Sequence, residues 1–180
     1  MHSQVYIIKP SIDYQDAYIS FYQDWINSGE NIVPWVVGKD PTDFPAMLQF
    51  LSEEAKEELL PEGWVPASTY WLMDTANKVV GAVNIRHRLN EKLLNSGGHI
   101  GYGICPSERR KGYATLLLSL ALQQTAELGL QKVLVVCDKG NIGSERTILK
   151  NGGVFESEFI EENGNCIRRF WIDVKERIRP

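Results

Sequence analysis

The chain has 180 residues, 43% of them hydrophobic, with 19 Lys and Arg against 23 Asp and Glu for a net charge of −4. That length and apolar content suit one domain spanning residues 1–180 with a core of its own, and they exclude a disordered chain. The acidic balance excludes an overall basic field for a nucleic-acid backbone or an anionic membrane, so any polyanion must be held by a local device.

No run of about 18 apolar residues occurs and the first ten residues lack a secretory signal, so the sequence reads as cytoplasmic, with neither membrane nor nucleic acid as partner. Cys105, Cys137 and Cys166 are odd in number and widely spaced, without Cys-x-x-Cys, and read as small buried hydrophobes. His2, His87 and His99 are too dispersed to suggest metal ligation.

In chain order, Val5 to Lys9 alternates as a strand, and Pro10-Ser11 supplies a break and a cap. Tyr14, Tyr18, Phe21, Tyr22 and Trp25 recur on one face of a helix that Gly29 ends. Phe44, Met47, Leu48, Leu51, Ala55 and Leu59 mark a second helix, capped by Thr42 or Asp43 and closed by Pro61, with Glu53, Glu54, Glu57 and Glu58 as a solvated face. Asn31 to Pro45 and Pro61 to Pro66 are loops rich in proline and tryptophan, which either line a site or anchor themselves in the core.

Ser68 to Met73, Val79 to Arg88 and Gly98 to Ile104 then form an antiparallel meander, with a bulge made plausible by Gly101 and Gly103. Arg86, His87 and Arg88 read as an exposed polar edge, although Arg86 suits orienting an acidic acceptor. A long helix runs from near Gly112 to Leu128, followed by the apolar strand Lys132 to Val136. A short helix, Ser144 to Lys150, and the strand pair Val154 to Ile160 and Cys166 to Val174 complete the chain.

Ile104 to Thr115 places a strand end, the basic turn Arg109-Arg110-Lys111 and a helix start in succession. The first N–H groups of a helix lack intrahelical partners and attract phosphate, and Gly112 lets the backbone come close. Two rival phosphate loops fail: Gly101-Tyr102-Gly103-Ile104-Cys105-Pro106 has Pro where the dinucleotide fingerprint needs Gly, and no Gly-Lys-Ser or Gly-Lys-Thr exists.

Arg109-x-x-Gly112-x-Ala114 resembles the Gln/Arg-x-x-Gly-x-Gly/Ala signature of the Gcn5-related N-acetyltransferase (GNAT) superfamily, which binds acetyl-coenzyme A. Asn141-x-x-Ser144 opening a short helix, with Gly152-Gly153-Val154-Phe155 after it, is similar to the superfamily's second block. The likeness covers roughly Val79 to Phe155, and Ser144 to Gly153 further resembles a bacterial branch of acetyltransferases with poorly defined substrates.

The resemblance implies an α/β fold: a mixed, mostly antiparallel sheet, splayed in a V between two strands and flanked by helices. It implies acetyl-coenzyme A as acetyl donor and a small-molecule or peptide amine as acceptor, attacked directly in a ternary complex, and it allows a homodimer. The amides from Arg110 through Lys111, Gly112, Tyr113 and Ala114 to Thr115 would hold the pyrophosphate, with Arg109 beside them. Ile104 would pair its backbone with the pantetheine arm, Asn141 would bond the arm or order its loop, and Ser144 would cap the helix.

In many members a Tyr seven residues after that Asn protonates the leaving thiolate; here Ile148 stands there, so a different donor, such as Tyr102, a water or Cys137, is required. His99, with an ordinary pKa of about 6.5, is the candidate general base, unless its strand turns it to core or solvent. A non-catalytic acetyl-coenzyme A sensor, and an acyltransferase using another acyl donor or a hydroxyl acceptor, stand as alternatives.

Overall fold

The computed structural model describes residues 4–175, which leaves His2 outside the described residues. β1 (Tyr6–Ile8) leads into a 3-10 turn, Ile12–Tyr14, and Ser11 caps that turn by accepting the Asp13 N–H at 3.2 Å. α1 (Gln15–Ser28) buries Tyr18, Phe21 and Trp25 from its aromatic face and stops at Gly29, whose φ of 69° is left-handed. In α2 (Phe44–Glu53) the cap is Asp43, which accepts the Ala46 N–H at 3.0 Å, while Thr42 turns to Asp40.

α2 ends at Glu53, short of the expected Leu59. The Glu54 carbonyl accepts the N–H of Ala67, the first residue of the next strand, and Glu57–Leu59 form a separate 3-10 turn. The chain therefore leaves the helix to start the sheet. Of the acidic face that looked solvated, Glu57 pairs with Arg88 at the surface but Glu54 is only 6% exposed.

β2 (Ala67–Met73), β3 (Val79–Arg86) and β4 (Ile100–Ile104) join β1 in an antiparallel sheet of order β1-β2-β3-β4. β3 and β4 pair without interruption from Gly81↔Ile104 to Ile85↔Ile100, so the expected bulge does not form. Gly101 and Gly103 serve close approach instead. A Cβ at Gly101 would lie 3.2 Å from the Arg86 guanidinium, and one at Gly103 would lie 2.2 Å from the Val33 carbonyl oxygen.

After α3 (Tyr113–Glu127), β5 (Lys132–Asp138), α4 (Ile142–Lys150), β6 (Val154–Ile160) and β7 (Cys166–Asp173) follow, the strands forming a second antiparallel sheet of order β5-β7-β6. This is a mixed α/β fold with flanking helices, as expected.

Strand alternation assigns each face of the first sheet to its own core. Val83 and Ile85 pack with Leu117, Leu118 and Leu122 of α3, while Ala82 packs with Tyr18, Trp25 and Met47 of α1 and α2. Tyr18 stacks on Trp71 of β2 at 4.4 Å and 25°. Each large side chain buried this way contributes about 1.5–3 kcal/mol. A surface ion pair contributes about 1 kcal/mol or less, so the two cores set the frame. Asn84 and Arg86 consequently share the side of Ala82, beneath α1 and α2. Cys105 and Cys137 are buried as expected, but Cys166 is half exposed, beside Glu158.

Candidate active site

The turn from β4 into α3 has the backbone of an anion cradle. Arg110 and Gly112 both adopt left-handed conformations, φ 63° and 84°, and α3 starts at Gly112 without a side-chain cap. Its first-turn N–H groups thus point outward unpaired by the helix, and a Cβ on Gly112 would meet nothing within 4 Å. The residues present fit a bound diphosphate.

The three basic residues divide their work. Arg109 grips Glu30 with both terminal nitrogens, at 3.0 and 2.7 Å, donates through Nε to the Ile104 carbonyl at 3.2 Å, and lies over the Trp25 ring. It braces the cradle against α1. Lys111 and Lys78 close on the buried Glu108 at 2.6 and 2.5 Å, and their hydrogen bonds hold its carboxyl below the usual range. Arg110 is exposed and makes no ion pair among the described residues, so its charge remains for a ligand.

Beside the cradle the two sheets part. β4 and β5 belong to different sheets, and they meet at the residue just before β4: the His99 N–H donates to the Leu134 carbonyl at 2.7 Å, and the Leu134 N–H donates to His99 Nδ1 at 2.9 Å. Burial, aided by the nearby Arg86 charge, pushes the His99 pKa down to about 4, so the ring is neutral at pH 7. With Nδ1 accepting, the proton sits on Nε2. The only basic lone pair is therefore already in use. That geometry opposes the expected role of His99 as general base and makes it the clasp of the seam.

Across the opening, α4 answers β4. Asn141 caps α4 by accepting the Ser144 N–H at 3.1 Å, so the cap is Asn141 and not, as expected, Ser144. Ser144 is thereby free to place its hydroxyl 3.0 Å from that of Tyr102 on β4. Burial pushes the Tyr102 pKa up to about 12, so this hydroxyl keeps its proton at neutral pH. Ile148, at the position of the family tyrosine, is fully buried in the core.

On the α1 and α2 side of the seam lies a polar group the sequence reading missed. Glu54 lies within electrostatic reach of Arg86, whose guanidinium covers Gly101 and donates to the Gly97 carbonyl at 3.3 Å. Arg86 is thus not at an exposed edge. A signal for Glu54 existed: Met47, Leu51 and Glu54 stand at i, i+4 and i+7, one stripe of α2. The aromatic loops also converge, with Trp35 edge-on to Trp64 at 5.7 Å and to Phe50 at 6.4 Å. Both tryptophans stay about half exposed, so they are not buried anchors.

The family model for the acetyltransferase (GNAT) domain matches residues 7–154. No curated protein matches the chain. Among solved structures, mutant forms of the spermidine/spermine N-acetyltransferase SpeG from Vibrio cholerae superpose with a TM-score of 0.66 at 17% identity, over 96% of this chain and 95% of that one. The microcin C7 self-immunity acetyltransferase MccE, in complex with acetyl-CoA and AMP, superposes with a TM-score of 0.67 at 17% identity, over 94% and 92%. At such identities these neighbours speak for the fold, whereas the family match runs from β1 through the cradle, the seam and α4. With that model spanning most of its length, the chain belongs to the GNAT acetyltransferase family.

Proposed function

We propose that this protein transfers an acetyl group from acetyl-coenzyme A to a primary amine, by direct attack of the amine within a ternary complex. The observation that carries the reading is the uncapped N-terminus of α3 opening beside the gap between β4 and β5. Amides of Arg110, Lys111, Gly112, Tyr113, Ala114 and Thr115 would hold the pyrophosphate. Ile104 would align the pantetheine arm, with its carbonyl steadied by Arg109, and Asn141 would shape the far wall by ordering α4.

Acetyl-coenzyme A supplies an activated acyl carbon and a thiolate leaving group. Tyr102 and Ser144 replace the family tyrosine: Tyr102 Oη keeps its proton at neutral pH and is linked to Ser144 Oγ across the gap. His99 clasps the apex of the gap and so fixes where β4 presents its backbone. The acceptor is a small-molecule or peptide amine. SpeG, named for spermidine and spermine, makes polyamines the first to assay. Its dodecameric form makes self-association of this chain part of the same proposal.

A sensor that binds acetyl-coenzyme A without turnover is the second reading, favoured by Ile148. Two measurements decide. Acetyl-coenzyme A at 100 times its dissociation constant should stabilise the fold by about 2.7 kcal/mol in melting experiments; no shift at millimolar ligand overturns binding. Thiol release with a panel of amines separates enzyme from sensor. Tyr102→Phe and Ser144→Ala should then lower turnover by about 10² to 10⁴ with ligand binding retained.

A further inference from the structure

Glu54 is a buried carboxylate without a hydrogen-bond partner among the described residues. One of its oxygens has no accessible surface and no partner, the residue is 6% exposed, and it makes no ion pair within 4 Å among those residues. Leaving a charge so placed is costly, and structural carboxylates are normally paired or hydrogen-bonded. The structure could satisfy it: Arg86 lies near enough to act on it electrostatically, yet that guanidinium is turned to the Gly97 carbonyl and stacked over Gly101.

Its position is informative too. Arg86 and Asn84 face the α1 and α2 side of the first sheet, where Glu54 closes α2, and Arg86 pairs its backbone N–H with the His99 carbonyl. His99 is the residue at which β4 and β5 meet before parting. Glu54 therefore lies on the face of the first sheet opposite α3, within electrostatic reach of the guanidinium that covers Gly101 of β4. A donor held at the α3 cradle would approach from the face on which α3 packs, which would leave the face of Glu54 to the acceptor.

We propose that Glu54 is the catalytic residue that receives the acceptor's ammonium proton. This rests on the acetyl-transfer reading. The ammonium N–H bond breaks as the proton passes to a Glu54 oxygen, and the freed nitrogen pair attacks the thioester carbon. The C–N bond forms, the C–S bond breaks, and the sulfur takes the electron pair. The second nitrogen proton passes to water as the amide forms, Tyr102 Oη protonates the thiolate and regains a proton from solvent through Ser144, and Glu54 returns its proton to solvent.

The protonation chemistry agrees. Desolvation raises the Glu54 pKa from 4.5 to about 7, opposed by Arg86, so the group holds and releases a proton near neutrality. His99, just before β4, stays neutral down to about pH 4 and so brings no charge to bear on Glu54 near pH 7. Glu57, three residues further along the chain, is paired with Arg88. Burial sets the direction of its titration, and Arg86 is the charge that opposes it.

The test compares wild type with Glu54→Gln by acetyl-coenzyme A calorimetry and by thiol release against pH with accepted amines. The expected result is unchanged acetyl-coenzyme A binding, turnover lower by about 10² to 10⁴ at pH 7, and loss of an acidic limb centred near pH 7. Glu54→Asp should recover part of the rate and keep a limb, and should replace Glu54→Gln if that variant does not fold. Arg86→Lys should move the limb without removing it. Wild-type turnover and the same limb in Glu54→Gln would overturn the proposal alone. Wild type that binds no acetyl-coenzyme A, or releases no thiol with any amine, would overturn the acetyl-transfer reading and this proposal together.

Discussion

His99 and Leu134 exchange two hydrogen bonds, backbone N–H to carbonyl at 2.7 Å and backbone N–H to Nδ1 at 2.9 Å, and this pair joins the two sheets where β4 meets β5. A side chain here completes a ladder that backbone alone leaves unfinished. His99→Ala would strand the buried Leu134 N–H, at a cost of about 1–3 kcal/mol in urea unfolding. His99→Asn, whose Oδ1 can stand where Nδ1 stands, should recover most of that.

The same histidine makes a pH prediction. Its folded pKa of about 4 lies below the ordinary 6.5, so the unfolded chain binds the proton first. The stability it contributes is present above about pH 6.5 and is lost as pH falls toward 4. Denaturation of wild type and His99→Asn over that window should show the loss in wild type and its reduction in the variant.

Glu54 predicts the opposite slope. Its pKa is raised to about 7 from 4.5, so the folded state holds the proton more tightly, and this contribution is full below pH 4.5 and lost as pH rises through 7. Glu54→Gln should therefore be more stable than wild type at pH 8 and gain little at pH 4. One pKa unit corresponds to about 1.4 kcal/mol, which limits the gain to roughly 3 kcal/mol. Stabilisation on removing a group needed for turnover would mark a site held at the expense of the fold.

Gly112 tests the cradle. Gly112→Ala places a Cβ in open space at φ 84° and should cost about 1–2 kcal/mol of stability while leaving acetyl-coenzyme A binding. Gly112→Asp adds a carboxylate where the phosphates would approach and should abolish binding by calorimetry with the fold intact. Retained affinity would put the phosphates elsewhere.

Arg110 and Lys111 separate free charge from paired charge. Arg110→Gln should weaken acetyl-coenzyme A binding about fivefold at low salt and less at high salt, the scale of one exposed charge near a phosphate. Lys111→Gln should change it by less than about twofold, because that ammonium is already committed to Glu108 at 2.6 Å. Titrations at two ionic strengths check both.

The sequence by itself determined what depends on near neighbours in the chain. The aromatic stripe Tyr18, Phe21 and Trp25 already named the buried face of α1, and Gly112 after three basic residues already named an uncapped helix start. Helix period, strand alternation and the conformational freedom of glycine act over a few residues, so they can be read in order. Glu54 reads with its acidic neighbours as part of a solvated face, because a charge at the end of the Met47 and Leu51 stripe does not by itself show burial.

Only the tertiary structure decided the partners. Tyr102 meets Ser144 across 42 positions, Arg109 meets Glu30 across 79, and His99 meets Leu134 across 35. Each contact depends on how two sheets and two helix layers settle against one another, which no local pattern encodes. The same packing ended α2 early, since Ala67 claims the carbonyl of Glu54, and it buried that residue's carboxyl within electrostatic reach of Arg86. Burial and electrostatics are properties of assembled space, and so the chemistry of Glu54 and His99 arises only once the elements have packed.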